Sequence, residues 1–372
     1  MGFITASSSS LIAIRWNDFA SRTSGVTDSG VADGSSLKNR LLAWIRGENP
    51  GLTFEAMALE VFAHQFSRNT PYRRYCEALG RTAVNVTDWR EIPALPTDAF
   101  KFPAHLPRSF DPRLTTRHFL TSGTTTDVRG RHEFEDLDLY EASIIEGWRR
   151  LELPEISNPW LLSQTPDTNR ESSLVHMFEV LEREYGKEGH WMIDESARIN
   201  SGGMDAGGPV QLFSTALALL RWMESGTRQR LPEGSWVFET GGYKGLRETL
   251  APDAFREQLA DFLNIPANRI LNEYSMTELS SQFYRWPDEP AHRGPEWTRI
   301  RVIDPQSGRP AAPGQAGYLE IVDLANLGSV AAIRTQDLAI ATGDSEFVLL
   351  GRDPGALPRG CSRSSDDLLT KR

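Results

Sequence analysis

A chain of 372 residues, 39% hydrophobic and 24% charged, has the composition of a folded globular protein and enough material for two or three packed units around a large pocket. Its net charge of −10 opposes binding to a phosphate backbone or an anionic membrane surface, which excludes nucleic acid as the main partner. Two cysteines, Cys76 and Cys361, are too few for a disulfide framework or a structural zinc site, and no apolar run approaches the roughly 20 residues that span a bilayer.

In chain order, residues 1–36 are rich in Ser, Thr, Gly and Asp and read as a loose tail. Residues 1–15 put no basic residue ahead of a short apolar run, so a secretory signal is not expected, and the sequence predicts a cytoplasmic protein without integral membrane association. Residues 37–296 read as an α/β core. Thr53 is placed to cap a helix whose Phe54, Met57, Ala58, Val61, Phe62 and Phe66 recur at helical spacing. Cys76, in a helical stretch, reads as a packing residue. Pro93, Pro96 and Pro103 mark an extended crossing over 91–107. Residues 212–223 are apolar enough to predict a buried helix, and Trp236-Val237-Phe238 a short buried strand. Residues 297–352 form a β-rich subdomain, with strands expected at 299–303, 317–324 and 347–350, and 353–372 are a short tail carrying Cys361.

Two segments carry chemistry. In the first, Thr121, Ser122, Gly123, Thr124 and Thr125 precede Arg129 and Gly130. Glycine lets successive N–H groups point into one concavity, the hydroxyls add donors, and Arg129 supplies compensating charge, a composition suited to holding phosphate. A solvated turn has the same composition. In the second, Asn272-Glu273-Tyr274-Ser275-Met276-Thr277-Glu278 follows the apolar pair Ile270-Leu271, so it is expected in a loop after a buried strand. Tyr274 offers a face for a base, Thr277 a hydroxyl for a phosphate, and Glu278 a carboxylate for Mg²⁺. A helix N-terminus with a capping acid is the alternative.

The two segments in this order resemble the phosphate loop and the Tyr-Gly-x-Thr-Glu motif of the adenylate-forming, acyl-CoA synthetase-like superfamily. Gly241, Gly242, Tyr243 and Lys244 resemble its glycine-bearing loop beside the adenine. Arg334 to Leu338 resembles the segment whose acid, here Asp337, binds the ribose, and Gly351-Arg352-Asp353 resembles the hinge after it. Within the superfamily, Ile92-Pro93, Leu95-Pro96-Thr97, Phe100-Lys101, Gly241 to Gly245 and Arg359-Gly360-Cys361-Ser362 resemble the LuxE-type acyl-protein synthetases.

That resemblance implies stacked αβαβα subdomains plus a small β-rich subdomain, without the usual mobile C-terminal domain. It implies ATP and Mg²⁺ as cofactors and a carboxylic acid substrate, expected to be a fatty acid. The acid would be activated as an acyl-adenylate and transferred to a thiol, with Arg129, Glu278 and Cys361 in catalytic roles. The expected partners are an acyl-reductase, an acyltransferase or a carrier protein. An acyl-CoA or aryl-CoA ligase and a non-catalytic acyl- or nucleotide-binding module are the other readings. Three positions depart from the superfamily pattern: Thr126 and Ser275 stand where glycine is usual, and Arg129 stands where lysine is usual. His176 is expected to pack within a helix rather than to line an acyl pocket.

Overall fold

Helical spacing early in the chain becomes the helices Gly34–Ile45, Phe54–Arg68 and Thr70–Ala78. They belong to a computed structural model that describes residues 34–49, 51–121, 128–204, 207–226, 228–242 and 251–353. The first of them begins at Gly34, ahead of the boundary expected at 37. Thr53 caps the second: it is extended, and its hydroxyl accepts from the N–H of Ala56 at 3.4 Å. Cys76 is buried in the third, and burial pushes its thiol up to about 12, so it packs as expected and is chemically quiet.

The proline-marked crossing is not fully extended. It is a series of tight turns, Trp89–Glu91, Thr97–Lys101 and Pro103–His105, around the short strand β1 (Leu95–Pro96). Then β2 (Arg117–Leu120) and β3 (Arg131–Phe134) form an antiparallel hairpin that is a sheet of its own, with Phe119 opposite His132. This hairpin carries the phosphate-loop candidate.

Strands β4 (Pro159–Leu162), β5 (His190–Trp191), β6 (Gln211–Thr215), β7 (Trp236–Thr240) and β8 (Ile270–Tyr274) lie parallel in the order β5-β4-β6-β7-β8. Every residue of β4, β6 and β7 is buried, as parallel strands covered on both faces require. The helix expected over 212–223 is corrected here: the chain is a strand as far as Thr215 and a helix over Ala216–Glu224. Thr215 makes the break, because its hydroxyl accepts from the N–H of Ala218 at 3.0 Å and caps the new helix. Ser172 likewise caps the helix Ser173–Tyr185, which ends on the left-handed Gly186.

The sheet continues through β9 (Phe283–Arg285), β10 (His292–Arg293), β11 (Thr298–Ile303), β12 (Gly317–Asp323), β13 (Ala332–Gly343) and β14 (Glu346–Arg352). Their order is β11-β12-β13-β14-β10-β9, with β9 antiparallel to β8 and β1 parallel to β13. The β-rich segment is thus hydrogen-bonded into the same sheet as the parallel strands. Trp297 adds a side-chain tie, its indole N–H lying 3.0 Å from the hydroxyls of both Ser143, in the helix Asp138–Arg150, and Ser281. Among the described residues, no helix is long and apolar enough to cross a membrane.

Candidate active site

The second motif does not begin in a loop: Asn272, Glu273 and Tyr274 are the last residues of β8, and the chain leaves the sheet after Tyr274. No helix follows among the described residues, which removes the reading of Glu278 as a helix-capping acid. Tyr274 donates its phenolic hydrogen to Asp337 Oδ2 at 2.8 Å, joining β8 to β13 across 63 residues. The ring packs edge-on against Phe347, Phe283 and His292 and is 8% exposed, so little of its face is open to a base. Asp337 and Arg352 are register partners on β13 and β14, and Arg352 donates to Gln336. Gln336 in turn donates to Asp98 at 3.1 Å, tying the turn Thr97–Lys101 to this corner.

At the base of the phosphate loop, the N–H of Thr121 donates to the carbonyl of Gly130 at 2.8 Å, and the N–H of Gly130 donates to the Thr121 hydroxyl at 2.7 Å. A Cβ at Gly130 would lie 2.9 Å from the Thr121 side chain, so this close approach needs glycine. Thr121 is therefore buried as a strut of the loop. Arg129 folds back onto the same base, donating from Nε to the carbonyl of Thr121 at 2.7 Å and from Nη2 to that of Leu120 at 3.4 Å. Its Nη1 lies 3.9 Å from Glu171, which also meets His118 at 3.1 Å. A guanidinium has five N–H donors, so Arg129 retains donors beyond those two carbonyls. Ser122, Gly123, Thr124, Thr125 and Thr126 lie outside the described residues, as do Tyr243, Lys244 and Cys361.

Thr277 and Glu278 are both buried, and each has its carbonyl held. His132 donates from Nδ1 to the Thr277 carbonyl at 2.7 Å, and Asn326 donates to the Glu278 carbonyl at 2.7 Å. The Thr277 hydroxyl lies 3.4 Å from that of Ser173. Among the described residues there is no cluster of three His, Cys, Asp or Glu that could hold a metal ion unaided. A single carboxylate at Glu278 suits Mg²⁺, which is commonly bound by one or two carboxylates together with substrate phosphates and water. Ser275 is not in the left-handed region, so the serine found in place of glycine carries no backbone strain. Gly241 is left-handed at φ +77°, whereas Gly242 is not.

Sequence reasoning missed the polar groups around these motifs. Glu273, fully buried, accepts from the Thr240 hydroxyl, and burial raises its carboxyl to about 7. Glu239 is likewise raised to about 7 by burial while accepting from Asn272 at 2.7 Å, and Asn272 meets His292 at 2.6 Å. Burial lowers His132 to about 4, leaving it neutral at physiological pH. None of these pairings has a local spacing to betray it, since each joins different strands. His176 is buried, stacked on Tyr140 and bonded to Glu141 at 3.1 Å, in agreement with a packed helix histidine.

With this geometry in place, the chain can be set beside known proteins. Residues 214–370 match the family model described as acyl-protein synthetase, LuxE. A long-chain-fatty-acid–luciferin-component ligase of Vibrio harveyi is 23% identical over 317 residues, covering 80% of this chain and 81% of that protein. A ligase of the same description from Aliivibrio fischeri is 22% identical over 310 residues, covering 77% and 78%. In fold, the chain resembles an open conformation of 2-hydroxyisobutyryl-CoA ligase in complex with 2-HIB-AMP and CoA, with a TM-score of 0.55 at 12% identity over 91% of this chain and 82% of that one. That ligase in its postadenylation state, with R3-HIB-AMP, gives a TM-score of 0.57 at 10% identity over 80% and 67%.

Proposed function

Because the chain is a LuxE-type relative of the acyl-protein synthetases, built on the fold of the adenylate-forming ligases, we propose that it activates a fatty acid with ATP and passes the acyl group to a protein cysteine. It is an ATP-dependent ligase, and its chemistry has two steps. A carboxylate oxygen of the acid attacks the α-phosphorus of ATP, the bond to the bridging oxygen of the β-phosphate breaks, and pyrophosphate leaves. A thiolate then attacks the acyl carbon of the adenylate, and AMP departs as the thioester forms.

The observation that carries the assignment is the joining of Tyr274 to Asp337 at 2.8 Å, beside a hairpin whose His132 is bonded to Thr277. Asp337, held by the Tyr274 hydroxyl, would bind adenosine together with Gly241, Gly242 and Tyr243, so Tyr274 acts through its hydroxyl rather than its face, with Arg352 flanking Asp337. Thr121 shapes the phosphate loop from within, and Ser122, Gly123, Thr124 and Thr125 would meet the triphosphate. Arg129, anchored on the carbonyls of Thr121 and Leu120, places a permanent positive charge at the base of the loop, where it would offset negative charge gathering on the pentacoordinate phosphorus. Glu278 would hold Mg²⁺ against the phosphates, with the Thr277 hydroxyl meeting a phosphate, and that ion, when bound, would offset triphosphate charge. Cys361 is the acyl acceptor in this reading, and an acyl-reductase, acyltransferase or carrier protein in the cytoplasm receives the acyl group from it.

Incubation of the full chain with ATP and radiolabelled fatty acids tests the acceptor. Wild type is expected to gain a hydroxylamine-sensitive acyl label that Cys361→Ser loses, with acid-dependent ATP consumption retained in the variant. Label that survives in the variant contradicts the assignment of Cys361.

A further inference from the structure

The hairpin that carries the phosphate loop forms a sheet of its own, and two strands alone are marginally stable in water. Its position relative to Thr277 and Glu278 therefore depends on contacts made outside that sheet, among them a backbone hydrogen bond from the Leu120 N–H to the Glu171 carbonyl at 2.9 Å and contacts of its side chains. His132 makes the contact that reaches the motif itself: from β3, its Nδ1 lies 2.7 Å from the carbonyl of Thr277, 145 residues away in sequence. A carbonyl only accepts, so Nδ1 carries the proton and the tautomer is fixed. The ring is buried, 4.2 Å from the ring of Phe134 and 5.3 Å from that of Phe100, which sets its plane.

The carbonyl of Thr277 and the N–H of Glu278 belong to one planar peptide unit, so fixing the first fixes the direction of the second. Asn326 holds the next carbonyl, that of Glu278, from the opposite end of the motif. The backbone that presents the Glu278 carboxylate is thus pinned at two successive carbonyls, once by the hairpin and once by the segment after β12.

We infer that His132 is a positioning residue for adenylation: its Nδ1–H bond to the Thr277 carbonyl sets the register between the β2–β3 hairpin and the Thr277–Glu278 segment. This rests on the adenylation reading and adds to it a residue outside both motifs. His132 does not touch the nucleotide in this role. It acts by keeping the hairpin, with Arg129 anchored at its end, and the carboxylate that would bind Mg²⁺ at a fixed separation, and a displacement of about 1 Å in such a constellation can cost on the order of 100-fold in rate.

Two substitutions separate this role from simple packing. His132→Phe keeps a ring between Phe100 and Phe134 and removes the donor; His132→Asn gives up the ring and keeps an N–H close to the place of Nδ1. In acid-dependent ATP–pyrophosphate exchange, H132F is expected to lose on the order of 100-fold in kcat with the KM for the acid little changed, while H132N keeps most of the rate despite a lower thermal midpoint. The opposite ranking, H132F faster than H132N, makes the residue a packing element and overturns the inference, as does H132F turning over at the wild-type rate. Wild type in the same assay is the control: no exchange there overturns the adenylation reading and this inference with it, whereas exchange in wild type undiminished in H132F overturns this inference alone.

Discussion

Tyr274 and Asp337 each sit in a segment singled out by its residue types, and the structure joins the two side chains through one hydrogen bond. Removing the phenolic oxygen should leave the ring packed among Phe283, Phe347 and His292, so Tyr274→Phe is expected to fold normally. Losing a hydrogen bond to a carboxylate should raise the KM for ATP about tenfold, measured by exchange at saturating acid. An unchanged KM would place adenosine elsewhere. What the sequence could not reveal is how Thr121 and Arg129 are used: their partners are the loop's own base, and the ion pair of Arg129 with Glu171 joins residues far apart in the chain. Serine is tolerated at 275, where glycine is usual, because that residue avoids the left-handed region.

Among the elements, the strands β7, β8 and β10 carry a polar ladder in which Glu239 and His292 are buried and the half-buried Asn272 joins them. Burial raises Glu239 from its ordinary value of 4.5 to about 7, with Asn272, Arg256 and Arg285 acting in the opposite sense. A carboxyl whose folded pKa lies above its unfolded one stabilises the fold fully below the unfolded value, near 4.5, and that contribution is lost as pH rises through about 7. Glu273 acts in the same direction, whereas His292, lowered by burial to about 3, supports the fold above its ordinary 6.5 and ceases to as pH falls below it. Glu239→Gln keeps the acceptor for Asn272 and cannot ionise. Its thermal midpoint should exceed that of wild type at pH 8 and approach it at pH 5. A difference equal at both values would mean that Glu239 does not ionise in this range. Such ladders are invisible to periodicity, which sees Glu239 as one polar residue ending an apolar run. The same weakness hid the change from strand to helix at Thr215, since β6 and the helix Ala216–Glu224 form one uninterrupted apolar stretch.

For the whole molecule, the alternation of helices and strands in the core was readable, and so were β11, β12 and β14 after residue 297, but not β13. Their union in one sheet was not, because it depends on β10 pairing with β14, a two-residue contact of no distinctive composition. That union has a functional consequence. It brings the end of β8 to the Asp337 corner of β13 and β14, while the separate hairpin of β2 and β3 reaches the same motif through His132. The central claim is that this site activates a carboxylic acid with ATP. ATP–pyrophosphate exchange across a panel of carboxylic acids of increasing chain length tests it most directly: the account predicts exchange that requires both an acid and Mg²⁺ and is strongest with long-chain fatty acids, and the absence of acid-dependent exchange with every acid in the panel would contradict it.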